Sequence, residues 1–316
     1  MTSVEGLQAA IEALSAFATA DEPLAPFTTY KVGGSAAVFA SPRNDDELRL
    51  VADVVRETGL PVLVVGRGSN LLVADAGFPG IAISLAAMAE WIEFHDTVVY
   101  AGAAVALPVL ARRCVGAGLS GFEWAVGVPG SVGGAVRMNA GGHGSDMAAC
   151  LLGVHLLDLQ SAQLGWVPVE RLGLHFRGSR LADHQVVLDA RMQLAEGDQS
   201  EGEALLSEIV RWRREHQPGG QNAGSVFVNP IPGELPAAVL IDRLGLRGMC
   251  IGGAFVSEKH ANFIQATEGA TAADVRAVME HVRAAVLAST GFVLRSEVRL
   301  VGFDDVVDGP DDGVEL

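Results

Sequence analysis

Apolar residues recur at helical spacing from the start of the chain. Val4, Leu7, Ile11, Leu14 and Phe17 predict a helix over 4–17. Leu48, Val51, Val54 and Val55 predict a second over 45–58, with Asn44 as its cap. The period then changes. Val62 to Val65 is an unbroken apolar run, the pattern of a short strand buried on both faces. Further strands are predicted around 81–84, 98–101, 152–159 and 186–194, and a helix over 106–117. After about 198 the texture is more polar: one helix ends in RWRREHQPGG and another is expected near 235–243. Thr271, with Asp274 three residues on, has the pattern of a capping box. Val275, Val278, Met279, Val282 and Val286 form the apolar stripe behind it. EVRLV, 297–301, predicts a closing strand with Glu297 inside it. Helices and strands alternate throughout, so the class is mixed α/β or α+β. No internal repeat is visible.

Two glycine-rich breaks interrupt this pattern. Gly66-Arg67-Gly68-Ser69-Asn70 ends the strand at Val65. In GVPGSVGGAVRMNAGGHG, 127–144, seven of the eighteen residues are glycine. These glycines are mixed with Val128, Val132, Val136 and Met138 instead of serine and charge. That composition suits an ordered loop approaching something closely better than a flexible linker. Successive backbone N–H groups in such turns form anion-binding concavities without net positive charge. Two of them after strands point to a phosphate-bearing ligand, a dinucleotide in particular. Neither GxxxxGK[ST] nor GxGxxG is present, so the P-loop and Rossmann solutions are excluded.

Composition narrows the partners. The chain has 316 residues, room for two or three domains. Its net charge of −16 argues against nucleic acid, which needs a basic surface. No run reaches the ~18 apolar residues of a membrane span, and the first residues lack the pattern of a secretory signal. Cys114, Cys150 and Cys250 are too scattered for a disulfide framework or a CxxC metal site. The expectation is a soluble cytoplasmic protein. There are two lysines, Lys31 and Lys259: either a residue of arginine bias or two ligand-facing groups. The histidines show no metal-ligand spacing. Neither Ser131 nor Ser225 lies in GxSxG. On these grounds Ser225, in NAGSVFVNP, is either a turn residue or a reactive hydroxyl, and Asn229 before Pro230 is explained by turn chemistry.

Seven motifs follow in order: TYKVGG (29–34), VGRGSNLL (65–72), GVPGSVGGAVRMNAG (127–141), FRGS (176–179), AGSVFVNP (223–230), GGAFVSEKHANF (252–263) and SEVR (296–299). Together they make the chain resemble the UDP-N-acetylenolpyruvoylglucosamine reductase family over about residues 24–302, in its compact form without a substrate-covering insertion. The resemblance implies an α+β fold: a two-subdomain FAD-binding part of the vanillyl-alcohol-oxidase type, over 1–80 and 81–215, and a C-terminal α/β substrate domain over 216–303. The acidic stretch 304–316 is expected to be a disordered tail. It also implies that NADPH reduces FAD, which then reduces the enolpyruvyl double bond of the UDP-sugar substrate. GRGSN lacks the histidine that anchors flavin covalently in related oxidases, so the FAD is expected to be non-covalent.

The family's site residues carry over by position. FAD is expected on Tyr30, Gly66, Arg67, Gly68, Ser69, Asn70 and Leu71. A second set is Gly127, Pro129, Gly130, Ser131, Gly133 and Gly134, with Asn139, Ala140 and Gly141 beyond it. Substrate contacts are expected from Arg214, Gln217, Asn229, Lys259, His260 and Asn262. The catalytic set is Ser225 as acid, Arg177 as the cation beside the carboxylate, and Glu297 to orient or relay. Phe176 stands where the family has tyrosine, and Val228 where it has a basic residue. No metal is implied, and a monomer or weak dimer is expected. The competing classes are a non-covalent flavin oxidase of the same fold and a flavin-binding protein without catalysis.

Overall fold

The helix expected over 45–58 forms at Asp45–Thr58. Asn44 Oδ1 accepts from Glu47 N at 3.0 Å, satisfying one of the orphan donors of the first turn. Gly59 ends the helix in the left-handed region at φ +66°, as glycine does at many helix C-termini. This is seen in a computed structural model that describes residues 3–303; the expected disordered tail lies outside the described residues. The first helix runs only from Ser3 to Ala13, and residues 14–17, expected to be its last turn, instead form a turn that leads into strand Ala18–Pro23. Phe17 keeps its place in the pattern because it still packs on the core.

The chain divides into two units. The first contains residues 1–22, 36–67 and 79–212. It holds a sheet in which Ser35–Ala40 lies between Ala18–Pro23 and Phe78–Ile83, and Val62–Val64 pairs parallel with Phe78–Ile83. A five-stranded antiparallel sheet is built on the long pair Leu151–Asp158 and Gln185–Gln193, continued by Val98–Gly102. One apolar core runs through the unit, from Val51 and Ile81 to Leu110, Val154 and Val186.

The second unit contains, of the described residues, 23–35, 68–78 and 213–303. It departs from the expected cuts at 80 and 215, because two N-terminal segments fold with the C-terminal third. Tyr30, Val32 and Leu72 are buried in one core with Phe227, Ile241, Val275 and Val282. Leu71–Val73 pairs parallel with Arg299–Val301. Both Asp75 carboxylate oxygens accept, at 2.9 Å, from Ala272 N and Ala273 N at the start of helix Ala272–Thr290. A negative group there satisfies orphan donors and complements the helix dipole. The same helix has the Thr271–Asp274 capping box.

The glycine-rich region 127–144 is ordered but not a simple loop. It contains the short helix Val132–Arg137, then a hairpin pairing Gly142 with Ser145 and Gly141 with Asp146. The C-terminal strand is Arg299–Val301, so Glu297 lies in the bend before it, not inside it.

Candidate active site

The first glycine loop follows strand Val62–Val64. Gly68 has φ +56°, and a Cβ there would lie 2.0 Å from the Phe27 carbonyl oxygen, so only glycine fits that position. A Cβ at Gly66 would lie 2.5 Å from Ser131 Oγ, which places the start of this loop against the second. In the second loop the N–H groups of Val132 and Gly133 donate to the carbonyls of Val105 and Ala103, at 3.0 and 2.9 Å. Those bonds pin the loop. Among the described residues, no intrachain hydrogen bond uses the N–H groups of Gly66 to Asn70, while the Gly68 and Asn70 carbonyls accept from Thr29 N and Arg299 N. A run of N–H groups not used within the chain, in a turn tightened by two glycines, can cradle a diphosphate. The residues present therefore fit the phosphate-bearing part of a flavin dinucleotide.

Arg177 sits at the tip of a tight turn closed by His175 and Gly178, whose backbones bond both ways at 3.0 and 3.2 Å. Its φ is +62°. In a type II turn that second central position is normally given to glycine or asparagine, so an arginine there is held under strain. The restraint comes from Asn139, which is buried. Its Nδ2 donates to the His175 carbonyl at 3.1 Å and to Asp146 Oδ2 at 3.2 Å; its Oδ1 accepts from Ala148 N at 3.0 Å. Arg177 Nη1 donates to the Gly141 carbonyl at 2.9 Å, and its Cζ lies 5.5 Å from the Phe176 ring centroid. These groups line a cavity of about 410 Å³. Phe176 thus offers a ring face to the guanidinium, where a tyrosine would add a hydroxyl.

Ser225 and Glu297 belong to the second unit. The segment after Ser225 pairs antiparallel with the segment before the last strand through the bridge Phe227–Ser296. Glu297 N donates to the Val226 carbonyl at 2.8 Å and Val228 N to the Arg295 carbonyl at 3.0 Å. Asn262, also buried, serves as a third strand. Its Oδ1 accepts from Phe227 N at 3.0 Å, its Nδ2 donates to the Phe227 carbonyl at 2.8 Å, and its own carbonyl accepts from Val226 N at 2.9 Å. Asn70 Nδ2 donates to the Glu297 carbonyl at 2.8 Å. Within this unit, then, hydrogen bonds join Val226, Phe227, Glu297, Asn262 and Asn70, and Ser225 is the residue that immediately precedes this group.

The other expected residues are spread more widely. Tyr30 is fully buried in the second core, its hydroxyl pushed above its usual pKa by burial. Asn229 Oδ1 accepts from Ala237 N at 3.1 Å, at the start of helix Ala237–Arg243. Lys259 Nζ donates to the Arg214 carbonyl, joining two residues expected at the substrate. Gln217 Oε1 accepts from Arg213 Nε at 2.7 Å. His260 stacks edge-on to Phe263 at 4.7 Å, and burial, then the charge of Arg247, lowers its pKa. Lys31 Nζ donates to the Pro26 carbonyl at 2.6 Å.

Arg295 was not anticipated. Its backbone bond to Val228 sets an exposed arginine beside the position that lacks the expected basic residue. The only signal in the sequence was the charge flanking SEVR.

Comparisons with known proteins fit this geometry. The FAD binding domain family matches residues 36–164. The family described as UDP-N-acetylenolpyruvoylglucosamine reductase, C-terminal domain, matches residues 216–301. The chain is 45% identical over 283 residues to the UDP-N-acetylenolpyruvoylglucosamine reductase of Heliobacterium modesticaldum, covering 89% of this chain and 90% of that protein. It is 38% identical to that of Bacillus subtilis, covering 90% and 93%. A crystal structure of the Thermus caldophilus reductase aligns with TM-score 0.75 and 33% identity over 88% of this chain and 97% of that one.

Proposed function

Because the chain belongs to the UDP-N-acetylenolpyruvoylglucosamine reductase family, we propose that it reduces UDP-N-acetylglucosamine enolpyruvate to UDP-N-acetylmuramate, a reaction of peptidoglycan precursor synthesis. FAD held by the glycine loops would supply the hydride, drawn from NADPH, that adds to C3 of the enolpyruvyl group. The carrying observation is the hydrogen-bonded pairing of the segment that follows Ser225 with the one that carries Glu297, seated in the region that matches the reductase family.

The chain's own residues then have distinct tasks. Hydride arrival at C3 builds negative charge on C2 and the adjoining carboxylate. Arg177 stabilises that charge as a fixed cation, and its strained turn limits the positions the guanidinium can take. Ser225 Oγ–H gives the proton to C2. An alkanol is a weak acid, so this step depends on a strongly basic enolate and fixed geometry. Asn262 supplies that geometry by holding the backbone of Val226 and Phe227. Glu297 orients the carboxylate or returns the proton to Ser225. Arg295, Lys259 and Arg214 provide positive charge for the substrate diphosphate in place of a basic residue at 228. The reaction takes place in the cytoplasm, where its nucleotide substrates occur; among the described residues no helix is long and apolar enough to cross a membrane.

An anaerobic two-step mix tests the assignment. NADPH should bleach the bound flavin, and the enolpyruvyl substrate should then restore the oxidised spectrum within the turnover time. A flavin that stays bleached after substrate is added sinks the assignment.

A further inference from the structure

A second cavity, of about 380 Å³, lies in the first unit and includes none of the residues expected to hold flavin or substrate. Its walls are aromatic and acidic: Trp124, Trp212 and His143 with Glu123 and Glu208, closed by Ile209. No lysine or arginine lines it. Such a lining repels nucleotides and other polyphosphates, and it attracts organic cations through carboxylates and ring faces together.

Two further features mark the residues of this wall. His143 and Gly144 form the two-residue tip of the Gly142–Ser145 hairpin, with φ +51° and +85°. A type I′ turn of that kind favours asparagine or glycine at its first central position, and histidine is among the few other residues that take it up. Its ring is set edge-on to Trp212 at 5.2 Å and 88°. Trp124 is buried, and its indole N–H has no hydrogen-bond partner among the described residues.

We propose that this cavity binds a small organic cation, an alkylammonium or guanidinium group, between Trp212 and Trp124 with Glu123 and Glu208 as counter-charges. The wall is continuous with the candidate site on two sides. A Cβ at Gly127 would lie 3.1 Å from Ile209 Cγ2 and 3.2 Å from His143 Nε2, so the second glycine loop rests on the cavity wall. Ser145 lines both cavities, and the hairpin it belongs to supplies the Gly141 carbonyl that holds Arg177. A cation against His143 therefore acts on both the flavin loop and the Arg177 turn. That coupling rests on the functional reading above; the binding does not.

Isothermal titration calorimetry of the flavin-loaded protein, with sodium chloride at equal ionic strength as reference, separates the two. Tetraethylammonium and agmatine serve as probes. At least one should give a saturable site of unit stoichiometry, weakened about tenfold by Trp212→Leu and by Glu208→Gln. Both substitutions are on the exposed side of a helix and should leave flavin content unchanged. His143→Asn gives the turn its preferred residue and removes the ring, so it should keep or raise the melting temperature while lowering cation affinity. No saturable heat with either probe, or saturable heat that all three substitutions leave unchanged, overturns the proposal. A site that binds as stated without altering flavin release or substrate KM removes only the coupling.

Discussion

The two units hold their reactive side chains in different ways. In the first, Arg177 sits at a strained turn tip, with φ +62°, and Asn139 ties that turn to the 139–148 region. In the second, Ser225 precedes an extended, paired segment, and Asn262 completes the pairing from 35 residues away. Both devices use one buried asparagine that donates to one backbone carbonyl and accepts from one backbone N–H, and Asn139 donates in addition to the Asp146 carboxylate. They differ in what happens when the asparagine is lost. The turn has stored strain to release, whereas the paired segment keeps its bonds to Arg295 and Glu297. A guanidinium reaching for a carboxylate tolerates some movement; a hydroxyl delivering a proton does not.

The comparison can be broken most severely at Arg177. Arg177→Met should lower kcat by about 10²–10³-fold, the usual cost of losing one stabilising group for a developing anion, while NADPH bleaching of the flavin changes little. A stopped-flow record of both half-reactions checks this. The two asparagines come next. Asn139→Ala and Asn262→Ala each leave buried backbone groups unpaired, at about 1–3 kcal/mol. Asn139→Ala should in addition reduce affinity for the substrate carboxylate, read as a raised KM, because the turn relaxes. Asn262→Ala should mainly lower kcat. Equal kinetic profiles for the two would erase the distinction drawn between the units.

The smallest effect concerns pH. Burial, with the nearby charge of Arg247, lowers the His260 pKa below its ordinary 6.5. The unfolded chain therefore takes up a proton near 6.5 that the folded protein resists. Stability from this group is complete above that pH and falls as pH drops below it. Replacing His260 with glutamine should flatten the dependence between pH 7 and 5, measured as the denaturation midpoint of wild type against variant. A parallel fall in both proteins assigns the pH effect elsewhere.

Local signals were legible in the sequence. Asn44 and Thr271 announced their helices because a cap acts within three residues, and the buried central strands carried their apolar runs openly. Ala18–Pro23 and Gln163–Pro168 were not visible, because both are largely exposed edge strands, fixed by distant partners and not by their own pattern. The glycines of 127–144 concealed a helical turn. The segments 23–35 and 68–78 gave no sign that they fold with the C-terminal third; their burial is a tertiary fact. Motif order placed Ser225, Arg177 and Glu297, but the use of Asn262 and Asn70 as backbone clamps depends on hydrogen bonds spanning 35 and 227 residues.

The central claim is that Ser225 donates the proton, and Ser225→Ala measures it most directly. The anaerobic stopped-flow trace of the variant should show NADPH bleaching the flavin at close to the wild-type rate. Reoxidation by the enolpyruvyl substrate should be slower by about 10²–10⁴-fold, the range for a positioned general acid. Reoxidation at the wild-type rate, or an equal loss in both half-reactions, would contradict that role.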